Sequence, residues 1–187
     1  KGEGGCEGTG SGMEGVAVPA WLGDGRLVSD GDGGLRVWDV AAGTGRLLRP
    51  CEKYSVDLLV LASPDSRVVV RLDPAETTGA ASSLSAFDLL SGATREITSH
   101  GKTVVCLAFD PSGRVLVTGG QDGVVRVGPL AGEEPHLLFG HTGPIQGVAV
   151  SPDGHTIASV SDDGTIRLWP MPDVSKPPLH GLPRGEL

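Results

Sequence analysis

The strongest constraint on this chain is a turn-rich unit that returns at a near-fixed interval. Residues Gly140 to Trp169 read GHTGPIQGVAVSPDGHTIASVSDDGTIRLW. Three short alternating runs, Ile145–Val150, Thr156–Val160 and Thr165–Trp169, are separated by the turn signals Ser151-Pro152-Asp153-Gly154 and Asp162-Asp163-Gly164. Proline presets φ at the second turn position, and glycine accepts the positive φ that tight turns require. Such runs and turns predict an antiparallel three-stranded meander. Shifted back by 41 positions the pattern returns: His141 falls on His100, Ser151 on Asp110, Asp163 on Asp122, Gly164 on Gly123 and Trp169 on Gly128. Another 41 takes position 128 to Phe87, and a step of 49 takes Phe87 to Trp38.

A period near 40 with one meander per period is the sequence mark of a β-propeller blade array. The expected fold is therefore all-β: a partial or open propeller of about four four-stranded antiparallel blades over 13–50, 51–99, 100–140 and 141–187. Residues 1–12, KGEGGCEGTGSG, read as a flexible glycine-rich linker. In the first unit, Val16–Val18, Arg26–Ser29, Leu35–Val40 and Arg46–Arg49 are the expected strands. The second opens on the apolar run Asp57–Ala62 and carries a longer polar loop, Asp73–Ser83. In the last unit PPLHGL is the candidate outer strand, since proline is tolerated only at a sheet edge. Four blades that do not close a ring would leave two blade faces unpaired, so blades upstream in a longer chain or self-association are expected. The start at Lys1 also reads as a fragment or tail.

Composition narrows the partners. A net charge of −8 argues against sequence-independent binding to nucleic acid or to an anionic membrane. No apolar run approaches a membrane span, and no signal peptide is visible. Cys6, Cys51 and Cys106 are odd in number and far apart, which disfavours a disulfide framework and suits a reducing cytoplasm. His136, His155 and His180 are isolated, so no metal site is expected, and no cofactor is called for. Gly101-Lys102-Thr103 echoes the end of a phosphate loop, but Glu96 stands where its first glycine is required.

Gly-His before a strand, Ser-Pro-Asp-Gly at its end and Ser-x-Asp-Gly-Thr-Ile-Arg-Leu-Trp closing the unit resemble the WD-repeat (transducin β-subunit-like) propeller family. The likeness covers about 13–182, strongest in the last unit and weakest in the first two. The tail after LWPMPD also resembles the end of WD-repeat regions in bacterial signalling proteins such as serine/threonine kinases. The resemblance implies a structural tetrad of His, Ser or Thr, Asp and Trp. The last unit supplies His141, Ser159, Asp163 and Trp169, with Ser161 as the fallback hydroxyl. The third supplies His100, Thr118 and Asp122, and the first Trp38 and Asp32, with Ser29 as its candidate hydroxyl.

A His–Asp–Ser trio also invites a hydrolase reading. The serine would lie inside a strand, however, without a Gly-x-Ser-x-Gly elbow or an oxyanion nest. The expected inner strands, VAV, LLVLA, CLAF and VAV, are nearly free of ionisable groups for chemistry in a central channel. The sequence thus predicts a non-catalytic protein–protein interaction scaffold, the docking or sensing region of a larger bacterial signalling protein, over a propeller hydrolase or lyase. Its expected loop face gathers Asp30, Asp32, Asp73, Glu76, Gln121, Asp122, Asp162 and Asp163, which would favour a basic protein or peptide.

Overall fold

The computed structural model describes residues 19–31, 34–50, 59–73, 83–101, 103–130 and 134–178. Every regular element among them is a strand. The strands form four antiparallel sheets in simple up-and-down order. The first holds β1 (Ala20–Trp21), β2 (Leu27–Ser29), β3 (Leu35–Asp39) and β4 (Thr44–Arg49). The second holds β5 (Leu59–Ala62), β6 (Val68–Asp73), β7 (Ser83–Asp88) and β8 (Thr94–Ile97). The third holds β9 (Val104–Phe109), β10 (Val115–Gly120), β11 (Val125–Pro129) and β12 (His136–Leu138). The fourth has three strands, β13 (Ile145–Val150), β14 (Thr156–Ser161) and β15 (Ile166–Pro170). The array expected over 13–187 falls into two compact units, one built on the first two sheets and one on the last two.

The turn chemistry explains why the hairpins repeat. In the fourth sheet Val150 hands over to Ser151, whose Oγ accepts from the Thr156 amide at 2.9 Å while Asp153 Oδ1 takes the His155 amide. Ser63 and Asp65 repeat this in the second sheet, where the Val68 amide donates to Ser63 Oγ at 2.9 Å. In the third, Asp110 does the serine's work, its Oδ1 accepting from the Val115 amide at 2.7 Å. Gly154 and Gly113 take the left-handed position at φ 75° and 72°; in the second sheet Ser66 is forced there, at φ 59°.

Each unit buries an apolar face between its two sheets. In the first, Val28, Leu35 and Val37 pack with Val60, Val69 and Phe87. In the second, Val117, Val125 and Val127 pack with Ile145 and Ile157. The approach is so close that a Cβ on Gly119 would lie 2.4 Å from Ile145 Cγ2. Glycine here makes room for the neighbouring sheet.

The first unit's inner strand was expected at Val16–Val18, which lie outside the described residues, as do 1–12. Among the described residues Ala20–Trp21, from the segment expected as a hairpin, pairs with β2. Pro177 and Pro178 of the proposed outer strand are not in a strand, and 179–182 lie outside the described residues. The chain after β15 turns away: Met171 and Val174 pack on the core of the second unit, and the Lys176 carbonyl meets His136 Nε2 at 3.1 Å. Proline cannot donate a ladder hydrogen bond, which disfavours continuing the sheet here.

Candidate functional site: the buried polar clamp of the fourth sheet

The fourth sheet carries a closed polar network. His141, in the loop before β13, meets Asp163 Oδ2 through Nδ1 at 2.8 Å and Ser159 Oγ through Nε2 at 2.8 Å. Trp169 Nε1 donates to the same Ser159 Oγ at 2.9 Å, so one hydroxyl joins imidazole and indole. Ser159 on β14 pairs across from Arg167, and Ile157 from Trp169, which places serine and indole side by side on one face. The His141 side chain is fully buried and that of Asp163 nearly so. Gly140 precedes the histidine because a Cβ there would meet Arg167 Nη1 at 2.8 Å and Trp169 Cη2 at 3.0 Å.

Asp163 anchors this network. It accepts from Thr165 Oγ1 at 2.6 Å, the Thr165 amide at 2.9 Å and the Thr142 amide at 3.0 Å, besides meeting His141. The Thr165 hydroxyl first, then the His141 ring and the two amides, hold its carboxyl well below the ordinary carboxylate range. Ser161 serves elsewhere: its Oγ donates to the Gly143 carbonyl at 2.9 Å and accepts from the Asp163 amide at 3.2 Å. The hydroxyl of the relay is therefore Ser159.

The third sheet holds a different arrangement. His100 is fully buried and meets Thr118 Oγ1 through Nδ1 at 3.0 Å. Asp122 does not join them. It is taken by Arg126, whose Nη1 donates to Oδ1 at 3.1 Å and Nη2 to Oδ2 at 2.5 Å. That corrects the expected tetrad of this unit. Gly128 stands at the tryptophan position, and Pro135 occupies the space beside it, 3.0 Å from where a Cβ would project. His100 Nε2 has no hydrogen-bond partner among the described residues. Burial first, and the Arg126 charge second, pull its pKa down to about 4.

In the first sheet Trp38 Nε1 donates to Ser29 Oγ at 2.8 Å, while Asp32 lies outside the described residues. The nearby Asp30 is buried in an ion pair with Arg71 Nε at 2.6 Å. Arg71 stands on β6 where Ser159 stands on β14, counting from Ser63 and Ser151. An interblade ion pair thus sits where the fourth sheet has its hydroxyl. Sequence reading missed it; the signal was an arginine among the apolar residues of β6, following three valines and preceding Leu72.

Four of the eight residues of the expected acidic loop face have internal partners. Asp30, Asp122 and Asp163 serve the pairs above, and Asp162 accepts from Gln146 Nε2 at 2.8 Å. Asp162 and Gln121 remain exposed. Glu76 lies outside the described residues, as does the side chain of Asp73. Among the described residues no group of three or more His, Cys, Asp or Glu could hold a metal. Burial pushes the free Cys106 thiol up to about 11, which leaves it a packing group. Among the described residues no helix is long and apolar enough to cross a membrane.

Up-and-down antiparallel sheets repeated in this way have the blade architecture of a β-propeller. Residues 92–127 and 132–170 match the family described as WD domain, G-beta repeat (WD40). Telomerase protein component 1 of Rattus norvegicus is 29% identical over 135 residues, 72% of this chain and 5% of that protein. Meiotic recombination protein rec14 of Schizosaccharomyces pombe is 37% identical over 57 residues, 30% of this chain and 19% of that protein. The chain thus spans a small fraction of either relative. A chain in the crystal structure of a mitotic checkpoint complex superposes with a TM-score of 0.65 at 18% identity, covering 85% of this chain and 47% of that one. That likeness is one of fold.

Proposed function

We propose that the chain is a non-catalytic protein–protein interaction scaffold, the docking or sensing region of a larger bacterial signalling protein in the cytoplasm. The observation that carries the scaffold reading is the state of the His141–Asp163–Ser159 trio. Ser159 is 1% exposed and its Oγ is already engaged by the Trp169 indole and the His141 ring. A nucleophile needs an open face and an oxyanion site beside it. This hydroxyl has no open approach, and the trio works as a clamp that sets the loop before β13. The tail resemblance noted in the sequence is what favours the bacterial signalling context.

Held loops on a rigid scaffold are the usual place for binding residues. Gln121 and Asp162 are the exposed positions on the expected loop face. A basic partner segment draws less support than the sequence suggested, because Asp30, Asp122 and Asp163 already have internal partners. Photo-crosslinking from positions 121 and 162, in cells making the full parent protein, tests the reading. One protein partner captured from both positions, and not from exposed Arg95 on β8, is the expected outcome. Equal capture from all three, or none, would contradict it.

A further inference from the structure

Equivalent arginines of the third and fourth sheets end beside different groups. Arg126 and Arg167 stand 41 residues apart, each opposite a hydroxyl on the strand before: Thr118 pairs with Arg126 and Ser159 with Arg167. Arg126 leans over Gly101, where a Cβ would lie 3.2 Å from its Nε, and holds Asp122 with both terminal nitrogens. Arg167 lies instead against Gly140, where a Cβ would lie 2.8 Å from its Nη1. Its guanidinium is 5.9 Å from the Trp169 ring centroid. Asp163, the carboxylate four residues before it, is spent on the Thr165 hydroxyl, the His141 ring and the Thr142 amide. Among the described residues Arg167 has no ion-pair partner, and its Nε is buried without a hydrogen bond.

A guanidinium carries five donors in a planar fork that matches a carboxylate. A buried donor without an acceptor is a cost that an incoming acceptor removes. The surroundings also favour such a guest: the Trp169 ring lies beside the guanidinium, and Phe139, next to Gly140 in the chain, is 66% exposed. Apolar neighbours lower the local dielectric and strengthen a charge-assisted hydrogen bond. We propose that Arg167 receives one aspartate or glutamate side chain of a partner peptide, completing from outside the pairing that Asp122 supplies within the third sheet. Arg167 is the only lysine or arginine between positions 140 and 170. A singly charged carboxylate suits it better than a phosphate, which is held by clusters of cations. With a net charge of −8 on the chain, the attraction comes from this one contact and not from the field of the whole molecule. The proposal rests on the scaffold reading only in that the acidic group belongs to a protein.

Proton–nitrogen correlation NMR of the arginine Nε–H groups of the full chain, at fixed ionic strength, tests this. Arg167→Lys assigns the Arg167 signal. Acetyl-Ala-Glu-Ala-amide is expected to shift the Arg167 Nε–H and the Gly140 amide saturably, with a Kd on the order of 1 mM. The matching glutamine peptide should bind about tenfold more weakly. Arg126, whose carboxylate is already in place, and exposed Arg95 should not move. In Arg167→Lys the charge stays and the fork is lost, so the Gly140 shift should report about tenfold weaker binding. Circular dichroism verifies that this variant keeps its strands, and the wild-type titration decides the matter without it. No saturable shift up to about 20 mM peptide would overturn the proposal. Equal shifts with the glutamine peptide, or equal movement of Arg95, would overturn it too. Inorganic phosphate saturating more tightly than the peptide would overturn the carboxylate assignment in favour of a phosphate group. Crosslinking from positions 121 and 162 does not read position 167, so the scaffold reading and this site can fail separately.

Discussion

The third and fourth sheets are the same ribbon 41 residues apart, yet they hold their entry loops differently. Both have a buried histidine meeting a hydroxyl on the second strand: His100 with Thr118, and His141 with Ser159. Both have an arginine two residues before the tryptophan position. In the fourth sheet the Arg167 guanidinium lies 5.9 Å from the Trp169 ring centroid. In the first sheet Arg36 lies 6.0 Å from that of Trp38. In the third there is no ring, because Gly128 replaces it, and Arg126 pairs with Asp122 instead. Losing one indole thus coincides with two changes. The arginine has no aromatic face to lie over, and the histidine has no aspartate. A tetrad position is therefore best read with its neighbours, because the arginine's partner decides whether the aspartate is available.

The sharpest way to break the comparison is to erase the difference at the contact between the two sheets. Gly119 stands where the fourth sheet has Val160. Gly119→Val would drive a branched side chain into Ile145 and Cys106, already 2.4 and 2.7 Å from a Cβ at that site. Chemical denaturation should show a loss of about 3 kcal/mol or more, at the upper end for overpacked cores. Val160→Ala, on the exposed face, should cost less than about 1 kcal/mol. Equal losses would mean that the two sheets do not pack as described.

Acid separates the two histidine sites. The ordinary value for His100 is 6.5 and its folded value is about 4. The unfolded chain therefore gains a proton that the folded one refuses. The His100 contribution to stability should fall as pH drops from 6.5 towards 4, by about 3 kcal/mol, and change no further below that. Asp163 acts in a lower window. Its pKa is depressed below 3.8, so its contribution is full above that value and is lost as pH falls through the folded value. Denaturation midpoints of His100→Gln against pH should lose the slope between 6.5 and 4 and keep the steeper loss below it. A slope that persists in this variant would contradict the assignment.

A smaller contrast sits in the hydroxyls. Ser159 engages two partners and Thr118 one. Ser159→Ala leaves both the indole donor and a ring nitrogen without their partner and should cost about 2 kcal/mol. Thr118→Val, which keeps shape and loses one bond, should cost about 1 kcal/mol. Thermal melts of the two variants give the ratio, and a larger loss for Thr118→Val would reverse the comparison.

Much of this was legible in the chain itself. The 41-residue step and the Ser-Pro-Asp-Gly and Asp-Asp-Gly turns define the strands of the last two sheets, because turn chemistry and strand period act locally. The set His141, Ser159, Asp163 and Trp169 was legible only through the resemblance to the WD-repeat family, which implies it. The rest depends on side chains meeting across strands or sheets. Arg126 and Arg167 occupy equivalent positions and read alike, and only the residue two places on separates a ring neighbour from an ion pair. The Asp30–Arg71 pair links different sheets, so no local pattern reports it. PPLHGL was the candidate outer strand because an edge tolerates proline, whereas Pro177 and Pro178 lie outside any strand and 179–182 lie outside the described residues.

The account rests on a buried relay in the fourth sheet, and indole hydrogen exchange tests it most directly. The chain has three tryptophans, each with one indole N–H visible by NMR. Trp169, hydrogen-bonded to buried Ser159, should exchange slowest, and Trp21, 66% exposed, fastest. Ser159→Ala should abolish the protection of Trp169 while leaving Trp38, bonded to Ser29, unchanged. A Trp169 indole that exchanges as fast as that of Trp21 in the wild-type chain would contradict the relay.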